Sequence, residues 1–347
     1  MNAPDRLRPR ILIVRLSAVG DTIHTLPVAA ALRERFPQAF LAWAVEPKAS
    51  ALLEGSEAID ELVVLPRGFL TSPKRLWAIR SRLRAMRFDT AIDVQGLTKS
   101  AAVAWISGAR RRIGFARPSG REISPWLNNE LVTPTAAHVV DQYLELLRPL
   151  GIQRPTARFQ VPETPAEAHE AESTIAQFGL DGGFATINSG AGWPSKRWPA
   201  ERFASVARHL GEFWRLPSMV VWSGIEERGW AEEIVAGSRG NARLAPATSL
   251  RGLAALARRS RLFLSSDTGP LHLAAAVGTP CVGLFGPWPA ERNGPYGPRN
   301  VAIQRMRLDG STRDRRSAPS IYMESIDVPS VCEACDQVLC REHVQAA

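Results

Sequence analysis

Several things are scarce in this sequence. No apolar run approaches the roughly 18 residues that span a bilayer. The opening MNAPDRLRPR leads into a strand rather than into a signal-peptide apolar region, so the chain reads as cytoplasmic. Only four cysteines occur, Cys281, Cys332, Cys335 and Cys340. Three of them lie with His343 in CEACDQVLCREH, which could offer zinc ligands. Val331, Ala334, Cys335 and Val338 also fall on one helical face, however, and free thiols are the preferred reading. The first strand-to-helix loop carries a single glycine rather than G-x-G-x-x-G, so a Rossmann dehydrogenase gains no support. No Asp-x-Asp pair and no recognised nucleic-acid-binding motif is present.

Positive charge, in contrast, is plentiful. Lys and Arg total 43 against 34 Asp and Glu, a net charge of +9 with a pI near 10.1, which favours anionic partners without choosing among them. Hydrophobic residues at 45% and charged residues at 22% are ordinary globular values. A length of 347 residues exceeds what one core usually organises, so two domains are expected.

Strand and helix patterns alternate, the signature of βαβ units and parallel sheets. The first half offers strands at 11–15, 40–45, 61–65 and 90–94, with helical stretches near 25–35, 73–87 and 98–107. The second half repeats the scheme with strands at 184–188, 218–222, 261–265 and 280–285. Between them a helix ends at Gly151 and the Pro-rich QRPTARFQVPETP follows, the natural boundary. DGSTRDRRSAPS reads as a mobile loop before a last helix starting near Asp327. Two such open sheets bind ligands at the carboxyl ends of their strands, which places a cleft between the domains.

The unusual residues lie in those loops. In RLSAVGDTIHTLP, Gly20 permits a tight turn and Asp21 stands at or near a helix N-cap, where its carboxylate can accept backbone bonds. In SGAGWPSKRWP, small residues let amides approach a phosphate, and Lys196 brings a compact positive charge. SSDTGPLHLAAAVGTP enters a helix with Pro270 in its first turn, so the amides at Thr268 and Gly269 should point at an anion. Asp267 there suits a cap or a hydroxyl partner, and His272 either faces the site or packs. In WSGIEERGW, Glu226 and Glu227 open a helix, favourably for its dipole, and an acid after such a strand can also bind ribose.

Together with IDVQGLTKSA, these motifs resemble the ADP-heptose:lipopolysaccharide heptosyltransferases, glycosyltransferase family 9, in order and spacing from about Ile11 to Gly286. The segment LAWAVEPKASALLEGSEAIDELVVLP looks most like heptosyltransferase I. The resemblance implies a GT-B fold: residues 1–160 as an acceptor-binding Rossmann-like domain and 161–326 as a nucleotide-sugar-binding one. Residues 327–347 would form a helix expected to pack back on the N-terminal domain. It further implies inverting, metal-independent transfer of heptose from ADP-heptose to Kdo of the lipid A-Kdo acceptor, with no cofactor. Asp21 would be the general base, and Lys196, Gly192, Asp267, Thr268, Gly269 and His272 would line the donor site, with Glu227, or else Glu226, on the ribose. The lack of Asp-x-Asp agrees with protein groups stabilising the leaving diphosphate. Where relatives can carry hydroxyl residues before the lysine, this chain has Ala191 and Gly192, leaving backbone amides for the phosphate. RLDGSTRDRRSAPS stands where many relatives have a cysteine-containing segment.

Arg67, Lys74, Arg75, Arg80, Arg82, Arg84 and Arg87 occur without an acidic residue among them, and Arg110, Arg111, Arg112, Arg117 and Arg121 follow. Such runs are often solvated helix faces. In an acceptor-binding domain, Arg67, Lys74, Arg75 and Arg121 would meet Kdo carboxylates and lipid A phosphates. Attraction to anionic lipid, about 1 kcal/mol per basic residue, would hold the protein peripherally at the cytoplasmic face of the inner membrane. Two rivals remain distinguishable. A heptosyltransferase II-like enzyme or another GT-B nucleotide-sugar enzyme would use other substrates, and an epimerase would need no acceptor. A nucleic-acid binder would show salt-sensitive oligonucleotide affinity independent of Asp21.

Overall fold

The computed structural model describes residues 8–346, with side chains described through Arg341. The chain divides at Pro162 and Glu163, inside the Pro-rich stretch, into two units. The first holds β1 (Arg10–Val14), β2 (Phe40–Val45), β3 (Glu61–Val64), β4 (Thr90–Asp93), β5 (Arg111–Phe115) and β6 (Glu130–Val132). All pair in parallel in the order β3-β2-β1-β4-β5-β6. The second holds β7 (Ala185–Asn188), β8 (Ser218–Val221), β9 (Ala242–Leu244), β10 (Leu262–Ser266), β11 (Cys281–Phe285) and β12 (Val301–Gln304). Its order is β12-β11-β10-β7-β8-β9, the same winding repeated. Strand order therefore reverses between β1 and β4 in one sheet and between β7 and β10 in the other. A crevice opens at such points, outside the carboxyl ends of the strands.

The apolar runs became strands, central and buried on both faces as parallel sheets require, except that 61–65 became the half-wet edge strand β3. Four strands escaped the sequence pattern. β6 and β9 are three-residue edges, β5 opens on two arginines, and β12 is an edge strand without a fully buried residue. Hydrophobic runs mark buried strands, and these are short or half-wet.

Three expectations need correction. The first helix spans Val19–Arg35: it starts before the apolar stretch near 25, and its N-cap lies three residues before the one expected at or near Asp21, because Ala18 caps it. DGSTRDRRSAPS contains a helix, Thr312–Arg316, in which Ser311 accepts from Asp314 N–H and Asp314 accepts from Ser311 N–H at 2.8 Å. That is a capping box, and it organises a segment whose polarity read as mobile. The last helix, Val328–Ala346, lies on the second unit rather than the N-terminal domain: Val331, Ala334, Cys335, Val338 and Leu339 join Phe203, Leu210 and Leu284 in one core. Asp336 fixes its register, accepting from Trp214 Nε1 at 2.6 Å and lying 2.7 Å from His209 Nε2. Cys335 is buried in that core, Cys332 is half-buried and Cys340 is exposed. Burial, then Asp336, pushes the Cys332 thiol up to about 11. No group of three or more His, Cys, Asp or Glu side chains is placed to hold a metal among the described residues, and the His343 side chain lies outside them.

Candidate active site

In the first unit the chemistry gathers where β1 and β4 part. Asp21 is the third residue of helix Val19–Arg35, not its cap; Ala18 holds that place. Its Oδ2 accepts from Ala18 N–H at 3.2 Å and from Arg15 at 2.6 Å. Oδ1 has no protein partner among the described residues, and the side chain remains 42% exposed, enough to meet a ligand. Arg15, the last residue of the motif's strand run, went unnoticed in the sequence because one arginine after an apolar strand carries no pattern. Its guanidinium is buried, donates to Val94 O at 3.1 Å and lies 5.2 Å over the Tyr143 ring. Burial opposes the charge, Asp21 and then Tyr143 favour it, and the balance holds Arg15 above its ordinary range.

The loop after β4 braces this turn. Asp93 is fully buried and accepts from Gly96 N–H at 3.0 Å, Gln95 N–H at 3.2 Å and Asn128 Nδ2 at 3.1 Å. Burial pushes its carboxyl up, against those hydrogen bonds. Gln95 Oε1 in turn accepts from Leu16 N–H at 3.0 Å. Lys99 of IDVQGLTKSA bridges Ser17 Oγ at 3.2 Å and Glu46 at 2.9 Å through its Nζ.

The four expected acceptor residues divide. Arg67 reaches Glu46 at 3.7 Å and so joins the chain through Lys99 to Ser17, beside the Asp21 turn. Arg121 is exposed on a loop whose backbone bonds Gly96, next to Gln95. Lys74 and Arg75 stand exposed in the first turn of helix Pro73–Ala85, and no described hydrogen bond or ion pair links their side chains to the Asp21 turn.

In the second unit the loops after β7 and β10 meet. Lys196 Nζ lies 2.5 Å from Asp267 Oδ2, donates to Asp267 O at 3.2 Å, and sits 4.3 Å over the Trp288 ring. His272 does not face outward; it is buried behind Asp267, Nε2 to Oδ1 3.3 Å. Burial disfavours the Asp267 charge, but Lys196 and then His272 outweigh it and hold the carboxyl at about 2. Asp267 is thus a fixed negative partner for Lys196. Helix Gly269–Ala276 starts at Thr268 with no side-chain cap, so its first amides keep their anion-binding capacity. Thr268 Oγ1 is turned inward, 3.3 Å from Asn188 Nδ2 and 3.1 Å from Ser265 Oγ.

Glu227 accepts from Ser223 N–H at 2.9 Å, and burial pushes its carboxyl up, that bond notwithstanding. Its neighbour Glu226 is exposed and paired with Arg197 at 3.0 Å. Gly192 is exposed with open space where a Cβ would stand, whereas a Cβ on Gly190 would lie 2.5 Å from Glu227 Oε2. Gly190 was missed because close approach by a residue 37 positions away leaves no local signal. The loop does carry hydroxyls: Ser189 and Ser195 are buried, and their Oγ atoms have no hydrogen-bond partner among the described residues. A cavity of about 180 Å³ is lined by Ser189 with Arg197, Trp230 and Glu233. It is too small for a nucleotide sugar, since ligand pockets run about 300–1,000 Å³.

Two doubly wound six-stranded sheets, each with polar loops at its switch point, define the GT-B class of glycosyltransferase fold. The same architecture is seen in the crystal structure of a family 9 glycosyl transferase from Veillonella parvula, with TM-score 0.82 and 23% identity over 98% of this chain and 100% of that one. An Escherichia coli heptosyltransferase with ADP-2-deoxy-2-fluoro heptose superposes with TM-score 0.73 and 22% identity over 94% and 99% of the two chains. Lipopolysaccharide heptosyltransferase 1 of Pseudomonas aeruginosa is 28% identical over 308 residues, 85% of this chain and 83% of that protein. The family model for glycosyltransferase family 9 (heptosyltransferase) matches residues 76–320, and the chain belongs to that family. It is a glycosyltransferase enzyme.

Proposed function

We propose that the protein transfers L-glycero-D-manno-heptose from ADP-heptose to Kdo of a lipid A-Kdo acceptor in lipopolysaccharide inner-core synthesis, with inversion and without a metal. The observation that carries this reading is the pair of switch-point sites, one presenting a carboxylate with a free oxygen and the other a lysine, held by Asp267, beside an uncapped helix start. Asp21 Oδ1 takes the proton of the attacking acceptor hydroxyl, while Arg15 and Ala18 hold the other oxygen still. The departing ADP gathers negative charge, which Lys196 and the first amides of helix Gly269–Ala276 neutralise without reorganising. Glu227 accepts from the ribose hydroxyls. Arg67 and Arg121 meet the anionic acceptor, and the exposed cations, Lys74 and Arg75 among them, draw the protein to the cytoplasmic face of the inner membrane.

Purified protein should convert ADP-heptose and Kdo-lipid A to a heptosylated product of inverted anomeric configuration, read by mass spectrometry and NMR, in the presence of EDTA. Asp21→Ala should leave ADP-heptose binding nearly intact and reduce turnover by roughly 10²–10⁴-fold, the usual effect of losing a general base. Near-wild-type turnover in that variant would remove Asp21 from its role. Consumption of the donor without an acceptor would point to an epimerase instead.

A further inference from the structure

Four tryptophans are exposed, and three of them are in the first unit: Trp77 at 68%, Trp105 at 57% and Trp126 at 80%. They belong to helices Pro73–Ala85, Thr98–Ile106 and Ser124–Leu127, of which the second packs on both others. Large rings are left in water on three neighbouring helices, and none of them joins a hydrophobic core. The surface is continuous in one direction on particular atoms. Arg84 lies two helical turns beyond Trp77 on the same face, and its Nε donates to Ile106 O at 3.4 Å, next to Trp105. Exposed Leu70 precedes the first helix and exposed Ile123 the third.

The segments that carry these rings are strongly basic, although Glu61 and Glu130 of the sheet pair with Arg82 and Arg111. Residues 67–87 and 98–127 contain thirteen Lys and Arg and one acid, Glu122. Lys74, Arg75, Arg80, Arg82, Arg84 and Arg87 are all exposed. A solvated helix face does not call for three outward indoles. Arginine stems and indole rings do share one environment, the boundary between phosphate headgroups and acyl chains, where each keeps its polar tip wet and its apolar body dry.

We propose that Trp77, Trp105 and Trp126 insert at the interface of an anionic phospholipid bilayer, with the arginines of the same surface on the headgroup phosphates. This rests on the peripheral-membrane reading above and adds the residues that enter the lipid. No helix among the described residues is long and apolar enough to cross a membrane, so the contact is with one leaflet. The three rings lie outside the groups assigned to acceptor, donor and proton transfer.

The test uses the full chain and sedimentation with vesicles of phosphatidylglycerol and phosphatidylcholine, or phosphatidylcholine alone. Wild-type protein should bind the anionic vesicles, more weakly as salt is raised. The combined Trp77→Ala, Trp105→Ala and Trp126→Ala variant should bind about tenfold or more weakly, since interfacial affinity scales with buried apolar area. Its transfer to a water-soluble acceptor fragment should be unchanged, which also establishes that it folds; Trp126→Ala alone is the fallback. Brominated lipids should quench wild-type tryptophan emission and lose that quenching in the variant. If wild-type protein ignores anionic vesicles at low salt, the peripheral reading and this inference fall together. If it binds and the triple variant binds equally well, the inference alone falls. A dimer dispersed by the triple variant, or an oligonucleotide released by it, with vesicle binding unchanged, would assign the surface to a second copy or to nucleic acid and overturn the proposal.

Discussion

At Gly190 the absent side chain is explained by the Glu227 carboxylate, which occupies the space a Cβ would need. Gly190→Ala should therefore push Glu227 off its present position. If Glu227 holds the ribose, KM for ADP-heptose rises about tenfold while kcat changes little, because remote binding is lost and the reacting groups are not. Equal losses in both parameters, from steady-state kinetics, would contradict that role. Asp267 makes a pH prediction. Its carboxyl is lowered to about 2 from 3.8 in an unfolded chain, so its contribution to stability is present above pH 3.8 and disappears as pH falls towards 2. That contribution is on the order of 2 kcal/mol. The unfolding free energies of wild type and Asp267→Asn should accordingly converge by about that amount between pH 5 and pH 2. A pH-independent difference in urea titrations would mean that the Lys196 pair adds nothing through charge. Asp21, Lys196, Asp267 and His272 stand in motifs and loops that the sequence already singled out. Arg15, Lys99, Asp93 and Gly190 were missed, since their partners are distant in sequence or have no local pattern.

Among the elements, helix Val328–Ala346 is attached to the second unit by its apolar stripe and by Asp336. Asp336→Ala should leave the Trp214 indole without that acceptor and cost about 1–3 kcal/mol, measured by urea unfolding. A cost near zero would mean that the stripe alone seats the helix. Its helical spacing was legible from the sequence, but its place in the fold was not. An amphipathic stripe states that a face is buried and is silent about which sheet covers it. The central strands were legible because continuous apolar runs record burial on both faces; among the edge strands β3 kept such a run and the three-residue β6 and β9 did not.

For the molecule as a whole, each unit encloses its own sheet, and the core of the second is closed by its own last helix. Lys196, Glu227, Asp267 and helix Gly269–Ala276 all lie within that unit. A fragment of residues 163–347 should fold cooperatively and bind ADP, and Lys196→Ala should weaken that binding about tenfold or more by removing a charged hydrogen-bond partner from the diphosphate. Calorimetry on the fragment tests both points; a fragment that folds but binds no ADP would mean that the donor site needs the first unit.

The sequence by itself determined the alternation of strand and helix, the division near the Pro-rich stretch, and the loops that carry the polar residues. Those properties are written in hydrophobic period and in local turn chemistry. Only the tertiary structure decided that Lys196 would meet Asp267, 71 residues away, and that Arg67 would join Glu46, Lys99 and Ser17 beside Asp21. Such contacts follow from strand order in the sheet. Strand order is set by how the helices cross over and pack, and a residue's neighbours in sequence do not encode it.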